Sequence, residues 1–180
     1  MGVVWPLFIS AVQNGDVNSM YTPVLGTLGY ILSPDKKSVL LVHRTARAGD
    51  HHLGKYNGLG GKMMAGEDVA GCMRREIAEE SGLVCVDMIL RGTVNWQGFG
   101  KNGEDWFGFI FLITRFSGTP YEKNEEGELA WHPLARMEML PMWEGDRYFL
   151  PLVFDNDPRM FHGYLPYHNG RPVDWRYSRG

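Results

Sequence analysis

Four glutamates and two arginines crowd into one short stretch, GGKMMAGEDVAGCMRREIAEESGL, residues 60 to 83. If the run from Asp68 onward is helical, Glu76, Glu79 and Glu80 fall within about 100° of one another on the helix surface. Neighbouring carboxylates repel, and one of them keeps its proton unless a cation lies close by. Hard divalent cations prefer oxygen ligands, and Mg²⁺ in particular is bound by a few carboxylates together with water and substrate phosphates. Arg75 stands four residues before Glu79, at the spacing of a charge-assisted pair. A solvated, salt-bridged helix face has the same spacing, so these residues alone leave both readings open.

The neighbouring sequence supplies the elements that must hold this segment. Asp68 caps a helix that runs to about Ser81 and ends at Gly82, with Val69, Ala70, Met73 and Ile77 as its apolar stripe. Gly60 and Gly61 permit a tight turn ahead of it, where a backbone carbonyl can face a metal, and Gly66 lets the loop fold back before Glu67. Upstream, PVLGTLGYIL and SVLLVHR read as strands flanking the turn SPDKK. The following loop, TARAGDHHLGKYNGLGG, is long for a compact domain. Its His51 and His52 read as exposed loop side chains. Downstream, VDMILRGTVNWQGF and DWFGFIFLITRF are strands joined by GKNGE, and LAWHPL leads into a short helix around ARMEML. DRYFLPLVFDN has helical spacing interrupted at Pro151. RMFHGYLPYH, the turn NGRP and VDWRY form a terminal hairpin expected to pair onto the sheet.

Composition narrows the function classes. The 180 residues are 44% hydrophobic and 13% aromatic, enough for one domain with a real core. A formal charge of -3 and a pI near 6.1 give no basic footprint for long nucleic acid, so an anionic ligand must be met locally. The opening VVWPLFISAV is too short, and lacks the basic flank, for a signal peptide or membrane span. Residues 1 to 20 therefore read as an extension ahead of a domain at 21 to 180, with a docking strand as the alternative. Cys72 and Cys85 have neither ligand nor redox spacing, which fits a reducing, cytosolic setting. Nothing in the sequence sets an oligomeric state.

From Gly61 to Glu67, then at Arg75, Glu76, Ile77, Glu79, Glu80, Gly82 and Leu83, the chain resembles the Nudix box at every specified position. The resemblance implies an α/β Nudix fold, a mixed sheet between helices, and Mg²⁺- or Mn²⁺-dependent hydrolysis of a nucleoside diphosphate linked to a further group. It further implies Glu76, Glu79, Glu80 and the Gly60 carbonyl as metal ligands, Arg75 as the residue orienting the helix carboxylates, and Glu67 as a brace of the loop. In the acidic loop YEKNEEGELAW it implies a glutamate that contacts metal or helps activate water, with the register favouring Glu126 over Glu125.

KYNGLGGK, PMWEGDRYFLP and FHGY extend the likeness, from about Tyr21 to Trp175, to the MutT-related branch that cleaves oxidised purine nucleoside triphosphates. That likeness implies Asn57, Trp143 and Asp146 as base-recognising residues, while Lys62 could touch a phosphate or simply face solvent. Each has an ordinary alternative: a turn asparagine, a core tryptophan, a capping aspartate. One departure stands out. Gly145 precedes Asp146 where that branch commonly has two adjacent aspartates, which implies a narrower choice of base, and introducing Asp at position 145 is expected to broaden it. The loop from Ala46 to Lys55 also reads as longer than in that branch. The products expected are a nucleoside monophosphate and pyrophosphate. Rival readings are a dinucleotide, nucleotide-sugar or capped-RNA hydrolase, or a ligand-sensing module without activity, which would not need all three helix glutamates.

Overall fold

The computed structural model describes residues 20–46 and 49–180. Most of the extension assigned to residues 1 to 20 therefore lies outside the described residues. Among the described residues, ten strands, two α-helices and one 3-10 helix follow in chain order. They are β1 (Val24–Leu32), β2 (Ser38–Arg44), β3 (Tyr56–Asn57), α1 (Val69–Ser81), β4 (Val84–Trp96), β5 (Trp106–Ser117), β6 (Gly127–Pro133), the 3-10 helix Leu134–Met139, α2 (Asp146–Phe154), β7 (Phe161–Tyr164), β8 (Tyr167–His168), β9 (Arg171–Pro172) and β10 (Arg176–Arg179).

The main sheet runs β10-β7-β4-β5-β1-β2-β3, with β6 on β2. It is mixed: β1 with β5 and β4 with β7 are parallel, and the other pairs are antiparallel. The central strands read as continuous apolar runs because both faces are covered. Successive side chains point to opposite faces. Tyr30, Leu32, Val39, Leu41, Ile110 and Leu112 go to a core shared with Phe149 and Val153 of α2. Ile31, Leu40, Val42, Phe111 and Ile113 go to the other core, with Met73 and Ile77 of α1. Full burial of a side chain such as Met73 or Ile77 contributes about 1.5–3 kcal/mol. The result is the α/β/α layering expected from the sequence.

α1 begins and ends where its signals lie. The Asp68 carboxylate accepts from the Gly71 amide at 2.7 Å, and Gly82 closes the helix in the left-handed region at φ 72°. Two expectations are corrected. α2 continues through Pro151, since within nine residues the proline removes only one helix donor and the Asp155 amide still bonds to the Pro151 carbonyl. The terminal segment is not one hairpin on the sheet. Asn169 and Gly170, at φ 52° and 75°, turn a small separate β8–β9 hairpin, while β7 and β10 join the main sheet.

The same topology sets out the site. The β2–β6 register pairs Arg44 with Gly127, bringing Glu126 beside Arg44. β3 places Asn57 against Val42. Bridges from Gly29 to Leu59 and from Gly26 to Lys62 then lay the glycine turn along β1, directly ahead of α1. Among the described residues no helix is long and apolar enough to cross a membrane, and Cys72 and Cys85 are both free and buried.

Candidate active site

Arg75 is the hub of the charged segment. Its Nη1 donates to Glu76 Oε1 at 2.7 Å and to Glu79 Oε2 at 3.0 Å, while Nη2 donates to Glu67 Oε2 at 3.0 Å and to the Lys62 carbonyl at 3.2 Å. Glu67 also accepts from the Met64 amide at 2.9 Å, so one guanidinium ties the loop to the helix. The backbone requires glycine at position 60, and any side chain at position 61 would push the Glu76 carboxylate aside. At Gly60, with φ 152°, a Cβ would lie 2.1 Å from the Thr27 carbonyl oxygen, and at Gly61 it would lie 2.6 Å from Glu76 Oε1. The Glu76 carboxylate thus packs directly on the glycine turn.

Glu76, Glu79, Glu80 and Glu126 line a cleft of about 570 Å³. Glu80 Oε2 accepts from the Gly60 amide at 2.9 Å. Burial, and then the nearby charge of Glu126, push the Glu80 carboxyl up to about 8 despite that hydrogen bond. Burial likewise raises Glu76. Among the described residues no three acidic, histidine or cysteine side chains already converge as a metal cage, and Arg75 takes up much of the negative charge instead. The donor set nonetheless fits a hard divalent cation: it is all oxygen and partly buried, and burial followed by the charge of Glu126 makes the Glu80 carboxylate costly to ionise without a cation beside it.

A second recess, of about 370 Å³, adjoins this cleft and is lined by Asn57, Gly60, Lys62, Glu126, Trp143 and Asp146 among others. Glu126 borders both spaces, and Gly60 in the recess is bonded to Glu80 in the cleft. Trp96, Phe99 and Trp106 add aromatic walls. Asp146 opens α2, and burial pushes its carboxyl up to about 7, while a backbone hydrogen bond at Trp143 and the charge of Lys55 act the other way.

The NUDIX domain family matches residues 22–153. The chain belongs to the Nudix family. It is 30% identical over 141 residues to the uncharacterized Nudix hydrolase YvcI of Bacillus subtilis, covering 76% of this chain and 83% of that protein. It is also 30% identical over 148 residues to the oxidized purine nucleoside triphosphate hydrolase of Danio rerio, covering 82% and 89%. In fold it is similar to a MutT protein from Bacillus halodurans, with a TM-score of 0.72 and 24% identity, covering 86% of this chain and 97% of that one.

This Nudix hydrolase groups the residues singled out in its sequence into two adjoining spaces. Asn57, Lys62, Trp143 and Asp146 line the recess, and Glu76, Glu79 and Glu80 line the cleft. Of the two loop glutamates, Glu126 borders both spaces and Glu125 only the cleft. Lys62 is exposed, with its ammonium 5.4 Å from the Trp106 ring. Asn57 is a strand residue rather than a turn residue, and Asp146 lies in the first turn of α2 rather than at its cap.

The histidines need correction. His51 and His52 are half-buried against Trp143, with ring centroids at 4.8 and 5.4 Å, because the loop folds inward over the recess. The sequence reading also passed over Arg44, which donates to Asp50 at 2.8 Å and to Glu126, joining that loop to the acidic loop. Position 145 is corrected too. A Cβ there would lie 2.0 Å from the Tyr167 hydroxyl oxygen, so an aspartate would displace Tyr167 rather than reach a base. Only the length of the loop hinted at any of these contacts.

Proposed function

We propose that this Nudix hydrolase converts an oxidised purine nucleoside triphosphate, such as 8-oxo-dGTP, into the monophosphate and pyrophosphate. The observation that carries this reading is the sharing of Glu126 between the two spaces, which lets one nucleotide set its base in the recess and its phosphates at the carboxylates. The name of the Danio rerio relative points the same way.

In this reading Trp143 offers a ring to the purine, Asp146 accepts the paired N–H groups of the guanine edge, and the Asn57 oxygen accepts the N7–H that oxidation at C8 creates. Unmodified guanine has only a lone pair at N7. A divalent cation, Mg²⁺ or Mn²⁺, held by Glu76, Glu79, Glu80, Glu126 and the Gly60 carbonyl would acidify water and screen the phosphate charge. Arg75 keeps the helix carboxylates aligned, Glu126 orients the water, and Lys62 meets a phosphate. Steady-state kinetics on 8-oxo-dGTP, dGTP and 2-oxo-dATP test the assignment. A kcat/KM for 8-oxo-dGTP at least about tenfold above that for dGTP is expected from one hydrogen bond gained. Equal values, unmoved by changes at Asn57 or Asp146, would leave only a general Nudix pyrophosphohydrolase.

Asp146 also gives a pH signature. Its folded carboxyl titrates near 7 against an ordinary 3.8, so guanine-type activity should rise through about pH 7 as the acceptor form appears. Below that, the protonated carboxyl can donate, and the preference for guanine should relax toward 2-oxo-adenine. Stability runs the opposite way. Burial favours the neutral form, so this contribution is complete below about pH 4 and is lost as the pH rises through about 7. Asp146→Asn should remove both dependences and lower kcat/KM for 8-oxo-dGTP about tenfold or more. Activity profiles and melting curves from pH 5 to 9 check this.

A further inference from the structure

Two N–H groups converge on one atom of the inward-folded loop: Trp143 Nε1 lies 2.8 Å, and Asn57 Nδ2 3.0 Å, from His52 Nδ1. An indole N–H can only donate, so Nδ1 must present its lone pair and the ring proton must sit on Nε2. A lone pair at Nδ1 attracts the amide nitrogen of Asn57 and repels its oxygen. The tryptophan thereby fixes the tautomer, and the tautomer fixes the amide.

We propose that His52 sets the hydrogen-bond polarity of the recess: by engaging the Asn57 amide nitrogen it fixes which way the amide is turned and holds the carbonyl oxygen at the position opposite the histidine, so the recess selects a base bearing an N–H at that point over one bearing a lone pair. The identity of that base rests on the substrate reading above, and His52 acts as a positioning residue that works through Asn57.

The histidine is built into place. Its backbone amide donates to Asp50 Oδ1 at 3.0 Å, and Asp50 Oδ2 is held by Arg44 Nε at 2.8 Å. The Lys55 amide donates to the His52 carbonyl at 3.0 Å, and the Arg44 amide to the Lys55 carbonyl at 2.9 Å, closing the loop onto β2. Edge contacts with Phe99 at 5.9 Å and Trp143 at 5.4 Å limit rotation of the ring. Burial, then the charge of Arg44, pull the imidazole down to about 4, in keeping with a neutral acceptor.

The test compares wild type with His52→Ala and His52→Asn, the latter returning an acceptor oxygen near the position of Nδ1. In His52→Ala the ratio of kcat/KM for 8-oxo-dGTP over dGTP should fall about tenfold, mainly through KM, because the Asn57 amide can then turn either way. His52→Asn should recover most of it. A folded His52→Ala protein with an unaltered ratio overturns the proposal. Nitrogen NMR of the wild-type imidazole at pH 7 should show the Nε2–H tautomer, and an Nδ1–H or doubly protonated ring overturns it as well. A wild-type ratio near one would remove the substrate reading instead, and the tautomer would still decide the role of His52.

Discussion

Glu80→Gln should lower Mg²⁺-dependent turnover by about two to three orders of magnitude while the metal-free protein melts at the same temperature or higher. The loss is about what several kcal/mol of metal-mediated transition-state stabilisation is worth. The fold survives because a glutamine carbonyl can still accept from the Gly60 amide, and because the Asn124 amide nitrogen bonds to the Glu80 backbone carbonyl at 3.0 Å, whatever the side chain. Stability gains have a definite window. The folded Glu80 carboxyl sits near 8 against an ordinary 4.5, so the wild type loses stability as the pH rises through that range, and the variant does not. Melting curves without metal at pH 5 and 8.5, Mn²⁺ titration and turnover together decide the matter. Near-normal Mg²⁺-dependent turnover in the variant would make the carboxylate cluster a surface feature and remove the proposed mechanism.

The cleft was legible in the sequence because its chemistry is local. Glu76, Glu79, Glu80 and Arg75 are fixed relative to one another by helix geometry alone, and the cap at Asp68 and stop at Gly82 mark where that geometry applies. The sheet was legible for a related reason: strands covered on both faces carry unbroken apolar runs. The recess was legible only in part. Asn57, Trp143 and Asp146 come from β3, the segment ahead of α2 and the first residue of α2, and the resemblance brought them to notice, whereas spacing could not. His52, Arg44 and Tyr167 stayed hidden because their roles depend on long-range closure. A polar loop with glycines reads as solvent-facing until Arg44 pins Asp50 on one side and Glu126 on the other. Gly145 read as a missing acid, yet its lack of a side chain makes room for the Tyr167 hydroxyl across from α2.

Glu126→Gln should lower kcat about 10- to 100-fold with little change in KM, the signature of a group felt mainly in the transition state. Its place between cleft and recess suits a residue that orients water while the nucleotide is held by others. The backbone there is fixed without the side chain. The Thr45 and Ala46 amides both donate to the Glu126 carbonyl at 3.1 Å, and the Glu126 amide donates to Asn124 Oδ1 at 2.8 Å. Arg44 loses one charged partner in the variant but keeps Asp50 at 2.8 Å, so a loss of stability on the order of 1 to 3 kcal/mol, the contribution of a charged hydrogen bond, is expected with a modest fall in melting temperature. Glu125→Gln is the paired control, since Glu125 borders the cleft alone and should have the smaller effect. Kinetics of both variants at saturating and limiting substrate separate the possibilities. A raised KM with kcat intact would make Glu126 a binding group. A silent Glu126→Gln beside a damaging Glu125→Gln would move the catalytic glutamate one residue back along the loop.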